Sequence, residues 1–282
     1  MSQSALSIRR RLSSVYSIRK ITNAMKLIAS SRLTRLKWLL DDAREYGSWM
    51  DRCLAACLES ADFSRGSMPS CMRVGGGDRD LYVVVTSSLG LCGEYNAAVC
   101  RLLQGRLNES TDCAFIGEKG YRHLRDAVGE SFTDFLHLSD RPSYSDVNSF
   151  RHRLDSLYLE KGYRAVYIAY TEPVNSMVTE PRIEKLLPVE PKVDRESLKP
   201  QIAFEPDPES VAELIVPHWL DSKIYRCLLS SAVSEQTCRR NSMDSATRSA
   251  DDLIAKLGLE YNKARQQRIT QEITEVISGA QN

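Results

Sequence analysis

Between Met1 and Tyr46 the chain has neither glycine nor proline, and between His218 and Leu257 it again has neither. Both residues are so costly inside helices that two long stretches free of them read as two long terminal helices, with the breakers gathered in a mixed region between. No apolar run approaches the roughly 20 residues that span a bilayer, and the basic N-terminus lacks the apolar stretch and small-residue cleavage site of a signal peptide. The eight cysteines contain no CxxC, and the four histidines are scattered at 123, 137, 152 and 218, so no zinc set is spelled out and reduced thiols in a cytosolic compartment are expected. The net charge of +1 supplies no global field for nucleic acid. With 42% hydrophobic and 27% charged residues over 282, intrinsic disorder and a collagen-like fibre are excluded.

The N-terminal stretch fits a seven-residue frame of alternating steps of three and four from Ile8: Arg11, Val15, Ile18, Thr22, Met25, Ala29, Arg32, Leu36, Leu39, Ala43, Tyr46, Met50, Cys53 and Cys57. Twelve of these fifteen positions are apolar, which predicts a coiled-coil seam rather than the drifting stripe of a surface helix. A matching frame runs through Tyr225, Leu229, Ala232, Gln236, Arg239, Met243, Ala246, Ala250, Leu253 and Leu257. Its small residues let two backbones approach, so the two helices are expected to pair antiparallel. Placing Cys57 near Glu209 sets Ile8 opposite about Gly258, and the tail from Gly258 onward is then expected to project as a single helix.

The middle alternates. Leu81–Thr86 and Cys113–Gly117 read as buried strands and Phe132–Leu138 as a weaker one. Ala165–Thr171 and Arg182–Val189 complete the set, joined by a loop over Glu172–Glu180. Helical segments are expected at Tyr95–Leu107, Lys119–Val128 and Tyr144–Lys161. This is the pattern of an α/β layer with a largely parallel sheet. Ser64–Arg79 and the proline-rich Pro188–Pro208 are linkers in and out. The expected division is a coiled-coil helix over 1–60, an α/β domain with flanking linkers over 61–207, and a second coiled-coil helix over 208–282.

Three features could carry chemistry or contacts. The turn over Ser87–Gly93, with Leu89, Gly90, Leu91 and Cys92 inside it, lies where α/β proteins hold phosphates, but it is neither GxGxxG nor a Walker A loop and no lysine follows Gly93; a structural turn is favoured over a nucleotide site, and a packed Cys92 over a nucleophile. Nine Lys or Arg residues and no acid precede Trp38, with Tyr16 the one aromatic among them, which suits an acidic protein partner better than single-stranded nucleic acid. Gln236 and Arg239 are polar inside the C-terminal seam. They either fix its register or face a third body. No carboxylate pair, metal cluster or triad suggests a reaction carried out by this chain, and no cofactor is expected.

The segments SIRKITNAMKLIASSRL, TSSLGLCGEYNA, YTEPVNSMVTEPRIEKLLP, FEPDP and the block from VPHWLDSKIYRC to EVISGA resemble, in order and across essentially the whole chain, the gamma subunit of F-type ATP synthases. The resemblance implies an antiparallel coiled coil of the terminal helices with a Rossmann-like α/β domain at its base. It also implies a non-catalytic central rotor shaft that couples ion-driven rotation of a c-subunit ring to the nucleotide cycle of the beta subunits. Its implied partners are the alpha and beta subunits of the catalytic hexamer, the epsilon subunit and the c-ring, with membrane association only through the complex. Carried over residue by residue, Arg265, Gln266 and Thr270 would meet a loop on one beta subunit with Met25 and Lys26 nearby, and Phe204 and Glu205 would lie at the ring-facing foot. Ser87-Ser88 departs from the charged pair usual in the family, and no plant-type cysteine insertion lies between Leu107 and Pro208. A bacterial member at the cytoplasmic face of the inner membrane is the expectation, with the mitochondrial matrix face as the alternative. Two rival classes are an α/β oxidoreductase or nucleotide-binding domain with long dimerising helices and a coiled-coil scaffold unrelated to ATPases.

Overall fold

A computed structural model describes residues 5–61, 68–138, 142–189 and 203–280. The first part of the expected entry linker, from Ser64, and most of the exit linker lie outside them. Residues 1–30 with 239–282 form one compact unit, and residues 31–238 form the other. Helix α1 spans Ala5–Ser60 and helix α5 spans Pro208–Ala280. Asp207 starts α5, its carboxylate accepting the Ser210 N–H at 2.7 Å and the Ser210 hydroxyl at 2.9 Å, with Pro208 in the first turn where its missing N–H costs nothing. Pro217 sits inside the helix and removes one rung of its ladder.

The larger unit holds a five-stranded sheet of β1 (Asp80–Val85), β2 (Thr111–Ile116), β3 (Ser131–Phe132), β4 (Ala165–Pro173) and β5 (Thr179–Leu187). Its order is β3-β2-β1-β4-β5, parallel except for the β4–β5 hairpin. Helices α2 (Tyr95–Gln104), α3 (Glu118–Leu124) and α4 (Tyr144–Lys161) connect them. Period-two alternation divides β1 between two cores. Leu81, Val83 and Val85 pack with Val147, Phe150 and Leu154 of α4 and with Leu54, Leu220 and Ile224 of the long helices. Tyr82 and Val84 pack on the other face with Val99 and Leu103 of α2 and Leu124 of α3. α4 has the bounds its sequence predicts because both ends are capped: Ser143 and Asp146 form a capping box, and Gly162 closes the helix at φ 65°.

Three central elements are shorter than expected. α2 stops at Gln104, with Gly105 at its C-cap, three residues before Leu107. β3 keeps two residues, because the chain then turns to bring Phe135 edge-on to Phe150, with ring centroids 4.7 Å apart. The helix expected to Val128 ends at Leu124 in a 3-10 turn over Arg125–Ala127. The hairpin strands reach Pro173 and Thr179, which shortens the expected loop to 174–178.

The seam of α1 corrects the expected frame in its second row. Ile8, Val15, Thr22, Ala29, Leu36, Ala43 and Cys57 are buried, as the frame requires. Arg11, Ile18, Arg32, Tyr46 and Cys53 are exposed, with Ile18 at 53%, while Leu33, Leu40, Gly47 and Leu54 are buried instead. The steps from Ile8 therefore run four and then three. The two frames carry almost equal apolar counts, and the partner helix decides between them. Gly47 is one reason, since a Cβ there would stand 3.0 Å from the Arg226 guanidinium. In α5 the expected frame keeps Leu229, Ala232, Met243, Ala250 and Leu257 buried, but between Met243 and Ala250 the buried position is Thr247 and Ala246 is half-buried.

Within each unit the helices pair antiparallel. In the smaller one Arg19 pairs with Asp251, the Thr247 hydroxyl donates to that of Thr22 at 2.9 Å, and Lys26 donates to Asp244 at 3.3 Å. In the larger, Trp219 Nε1 donates to Asp51 at 2.6 Å and the Cys57 thiol to the Pro208 carbonyl at 3.1 Å, which is the register expected from sequence. Ile8 clusters with Leu257, and half-buried Tyr261 and Ala264 extend that contact beyond Gly258. The uncovered tail thus begins at Arg265, and every residue from 265 to 279 is exposed.

Candidate functional site

The β1–α2 turn spends its polar groups on one another. Ser87 N–H donates to Asn96 Oδ1 at 2.9 Å, Asn96 Nδ2 donates to Ser87 Oγ at 2.8 Å, and Ser87 Oγ donates to the Leu89 carbonyl at 2.6 Å. Leu91 and Gly93 adopt the left-handed conformation that folds the loop back over this knot. Cys92 is buried and accepts from Asn96 Nδ2 at 3.2 Å. Among the other thiols, burial pushes Cys71 up to about 11 and Cys113 up to about 12, which leaves them as packed apolar groups. Among the described residues no group of three or more His, Cys, Asp or Glu side chains could hold a metal ion.

The polar stretch of α5 engages this chain's own sheet domain. Tyr95 hydroxyl meets Ser231 hydroxyl at 2.7 Å, Ser234 hydroxyl donates to the Thr171 carbonyl at 3.0 Å, and Thr179 lies 3.4 Å from Cys238 Sγ. Burial of Tyr95 pushes its phenol well up, so it stays a neutral hydrogen-bonding group. Gln236 is 1% exposed and Arg239 8%, so neither offers surface to a partner: the chain itself surrounds them. The run SSAVSEQT carried the signal, being too polar for a seam with one partner. A second feature has no sequence motif: Asp221, buried on α5, accepts from Arg151 Nε at 2.8 Å, Asn148 at 3.2 Å and the Tyr144 hydroxyl at 3.2 Å. It fastens α4 to α5.

The remaining sequence-predicted residues fall in two places. In the smaller unit Arg265, Gln266 and Thr270 are exposed on the uncovered tail, with the Thr270 hydroxyl bonded to the Gln266 carbonyl at 3.0 Å, while Met25 and Lys26 are half-buried on α1. Continuing past Thr270, Ile273, Val276 and Ile277 expose apolar side chains without a covering helix. In the larger unit Phe204 is half-buried and Glu205 exposed just before α5.

Helix α5 thus packs along one stretch and then runs on for fifteen exposed residues, Ile269, Ile273, Val276 and Ile277 among them. A family model described as ATP synthase matches residues 4–282. The ATP synthase gamma chain of Alkaliphilus metalliredigens is 34% identical over 97% of this chain and 96% of its own length. The chain belongs to the ATP synthase gamma-chain family. The sodium ion specific ATP synthase gamma chain of Acetobacterium woodii is 29% identical over all of this chain and 99% of its own. Among solved structures, a chain of the Euglena gracilis mitochondrial ATP synthase shares the fold at a TM-score of 0.67 and 14% identity, over 98% of this chain and 93% of that one. A chain of the Tetrahymena thermophila central stalk and c-ring does so at 0.56 and 23%, over 80% and 99%. The α/β domain and paired terminal helices are therefore the gamma-chain arrangement.

Proposed function

We propose that this chain is the central rotor shaft of a membrane-bound F-type ATP synthase. It couples rotation of an ion-driven c-ring to the conformational cycle of the catalytic beta subunits and performs no chemistry itself. The observation that carries the reading is the uncovered tail, in a chain that matches gamma chains from end to end. A shaft needs one part that locks to its own base and another that is free to bear on a surrounding collar. The polar lock around Ser231 and Ser234 serves the first need and residues 265–279 the second.

On this reading the alpha and beta subunits surround the tail, and Arg265, Gln266 and Thr270 meet a loop on one beta subunit, with Met25 and Lys26 contributing from α1. The epsilon subunit and the c-ring meet the α/β domain, with Phe204 and Glu205 at the ring-facing foot. The shaft reaches the membrane only through the complex, at the cytoplasmic face of a bacterial inner membrane. A charge-assisted contact from the tail would be worth about 1.5–3 kcal/mol while formed, and it must break on every turn, so its strength sets a barrier. Replacing both Arg265 and Gln266 by Ala should change turnover and the coupling of ATP synthesis to the ion gradient while the complex still assembles. Normal hydrolysis and normal coupling in an assembled double mutant would remove these residues from the mechanism.

A further inference from the structure

The charge of α1 reverses at Trp38. Nine Lys or Arg residues and no acid precede it, and Asp41, Asp42 and Glu45 follow within two turns. Trp38, Asp42, Glu45 and Trp49 are spaced by four, three and four residues, so they share one helix face, with Asp41 and Tyr46 on its flanks. The opposite face is the one the chain itself covers: Leu36, Leu40 and Ala43 pack with Leu229, Ala232 and Val233, and Gly47 lies against Arg226. Trp38 is 73% exposed, Trp49 56% and Tyr46 55%.

The side chains of Asp41, Asp42 and Glu45 are exposed and make no ion pair or hydrogen bond with the described residues. Arg44 is turned to another face, where it pairs with Glu172 at 3.6 Å, and Lys37 is half-buried. Arg52, lying 5.0 Å over the Trp49 ring, bounds the face at one end, and exposed Arg35 bounds it at the other. Trp and Tyr are the side chains that most often anchor protein contacts. The unpaired carboxylates beside them repel an acidic partner or a second copy of the same face, and attract Lys or Arg. From Trp38 to Trp49 the face runs about 16 Å and is one helix wide, dimensions that suit a helix.

We infer that residues 38–49 of α1 dock an amphipathic helix of a partner protein, its apolar side chains on Trp38, Trp49 and Tyr46 and its Lys or Arg side chains on Asp41, Asp42 and Glu45. The inference stands on this face alone and does not rest on the rotor reading. It gives α1 two surfaces of opposite sign, one suited to an acidic partner before Trp38 and one to a basic partner after it.

The test titrates the full chain into a fluorescein-labelled helical peptide of about 18 residues, with Leu at heptad positions a and d and Lys at e and g, read by anisotropy. Of the three tryptophans Trp219 is buried and bonded to Asp51, so the same titration should move the emission of Trp38 and Trp49 to the blue. Micromolar binding is expected, weakened by salt and about tenfold weaker or more in the Asp41→Asn, Asp42→Asn, Glu45→Gln variant and in Trp38→Ala with Trp49→Ala. Thermal unfolding checks that both are folded; should either unfold early, Trp38→Ala alone is expected to weaken binding about threefold. The tail of α5 is the competing exposed surface, and Glu272→Gln with Glu275→Gln there should leave the affinity unchanged. Absence of binding would overturn the inference. So would undiminished affinity in the folded variants, loss in the tail variant, or equal affinity for the peptide with Glu in place of Lys. Failure of acrylamide to quench Trp38 and Trp49 in the chain alone would overturn it too, because the face would then be covered by the chain itself. An emission shift that needs only a higher chain concentration, or only phosphatidylcholine vesicles, would assign the face to a second copy or to lipid instead.

Discussion

The two compact units of this chain are held together by different means. In the larger one, buried strands are sandwiched between helices, and large side chains such as Phe150, Leu81 and Leu154 are all but sealed from solvent. In the smaller one the paired helices share a thin cluster of Ile8, Val15, Ala250 and Leu257, edged by a threonine pair and two ion pairs. Hydrophobic burial scales with area, so the first unit resists rearrangement by packing and the second by register. The smaller unit leaves one face of α1 and the whole end of α5 open, with Ile18, Ile21 and Ile28 exposed on the former. Rigidity is concentrated where the chain holds itself, and open surface where a partner is expected.

That contrast can be broken most forcefully at Asp221. Asp221→Ala takes the Nε partner from the buried Arg151 guanidinium, which keeps Asp155 at 2.6 Å, and removes the acceptor of Asn148 and the Tyr144 hydroxyl; it should cost about 3–5 kcal/mol in chemical denaturation, and a loss under about 1 kcal/mol would mean that α4 is fastened by packing alone. The seam comes next. Leu40→Ala should cost about 2–5 kcal/mol, and Ile18→Ala should stay within about 0.5, because Leu40 is 2% exposed and Ile18 53%. Equal effects would restore the frame of three-then-four steps. Overpacking separates two alanines of α5: Ala250→Leu should cost about 1–3 kcal/mol, whereas half-buried Ala246→Leu should cost less. The smallest effect is electrostatic. Hydrogen bonding from Lys26, with Arg248 adding attraction, holds the Asp244 carboxyl below its ordinary range. Its contribution is therefore present above about pH 4 and fades as pH falls through the lowered value. Thermal unfolding scans of Lys26→Met against the parent should lose that part of the acid dependence.

How much of this was legible in the sequence depends on how local each signal is. α4 was readable to the residue because Ser143, Asp146 and Gly162 encode both its ends, and pairing Cys57 near Glu209 placed Ile8 close to its observed neighbour Leu257. The choice between two frames on α1 was not, since the partner helix decides it, as where Gly47 lies against Arg226, 179 residues on in the chain. Gln236 was visible as an anomaly, but it is buried, and only the fold brings Tyr95 and Thr171 to Ser231 and Ser234 on that stretch of α5. The tail was read correctly as exposed, though half-buried Tyr261 and Ala264, packed against the cluster of Ile8 and Leu257, carry the seam past Gly258.

The central claim is that this chain turns as a shaft, and rotation tests it most directly. A probe coupled to the exposed thiol of Cys53, in a complex immobilised through its catalytic hexamer and supplied with ATP, should turn in one direction in discrete steps. A probe that stays fixed while the same complex hydrolyses ATP would contradict the account.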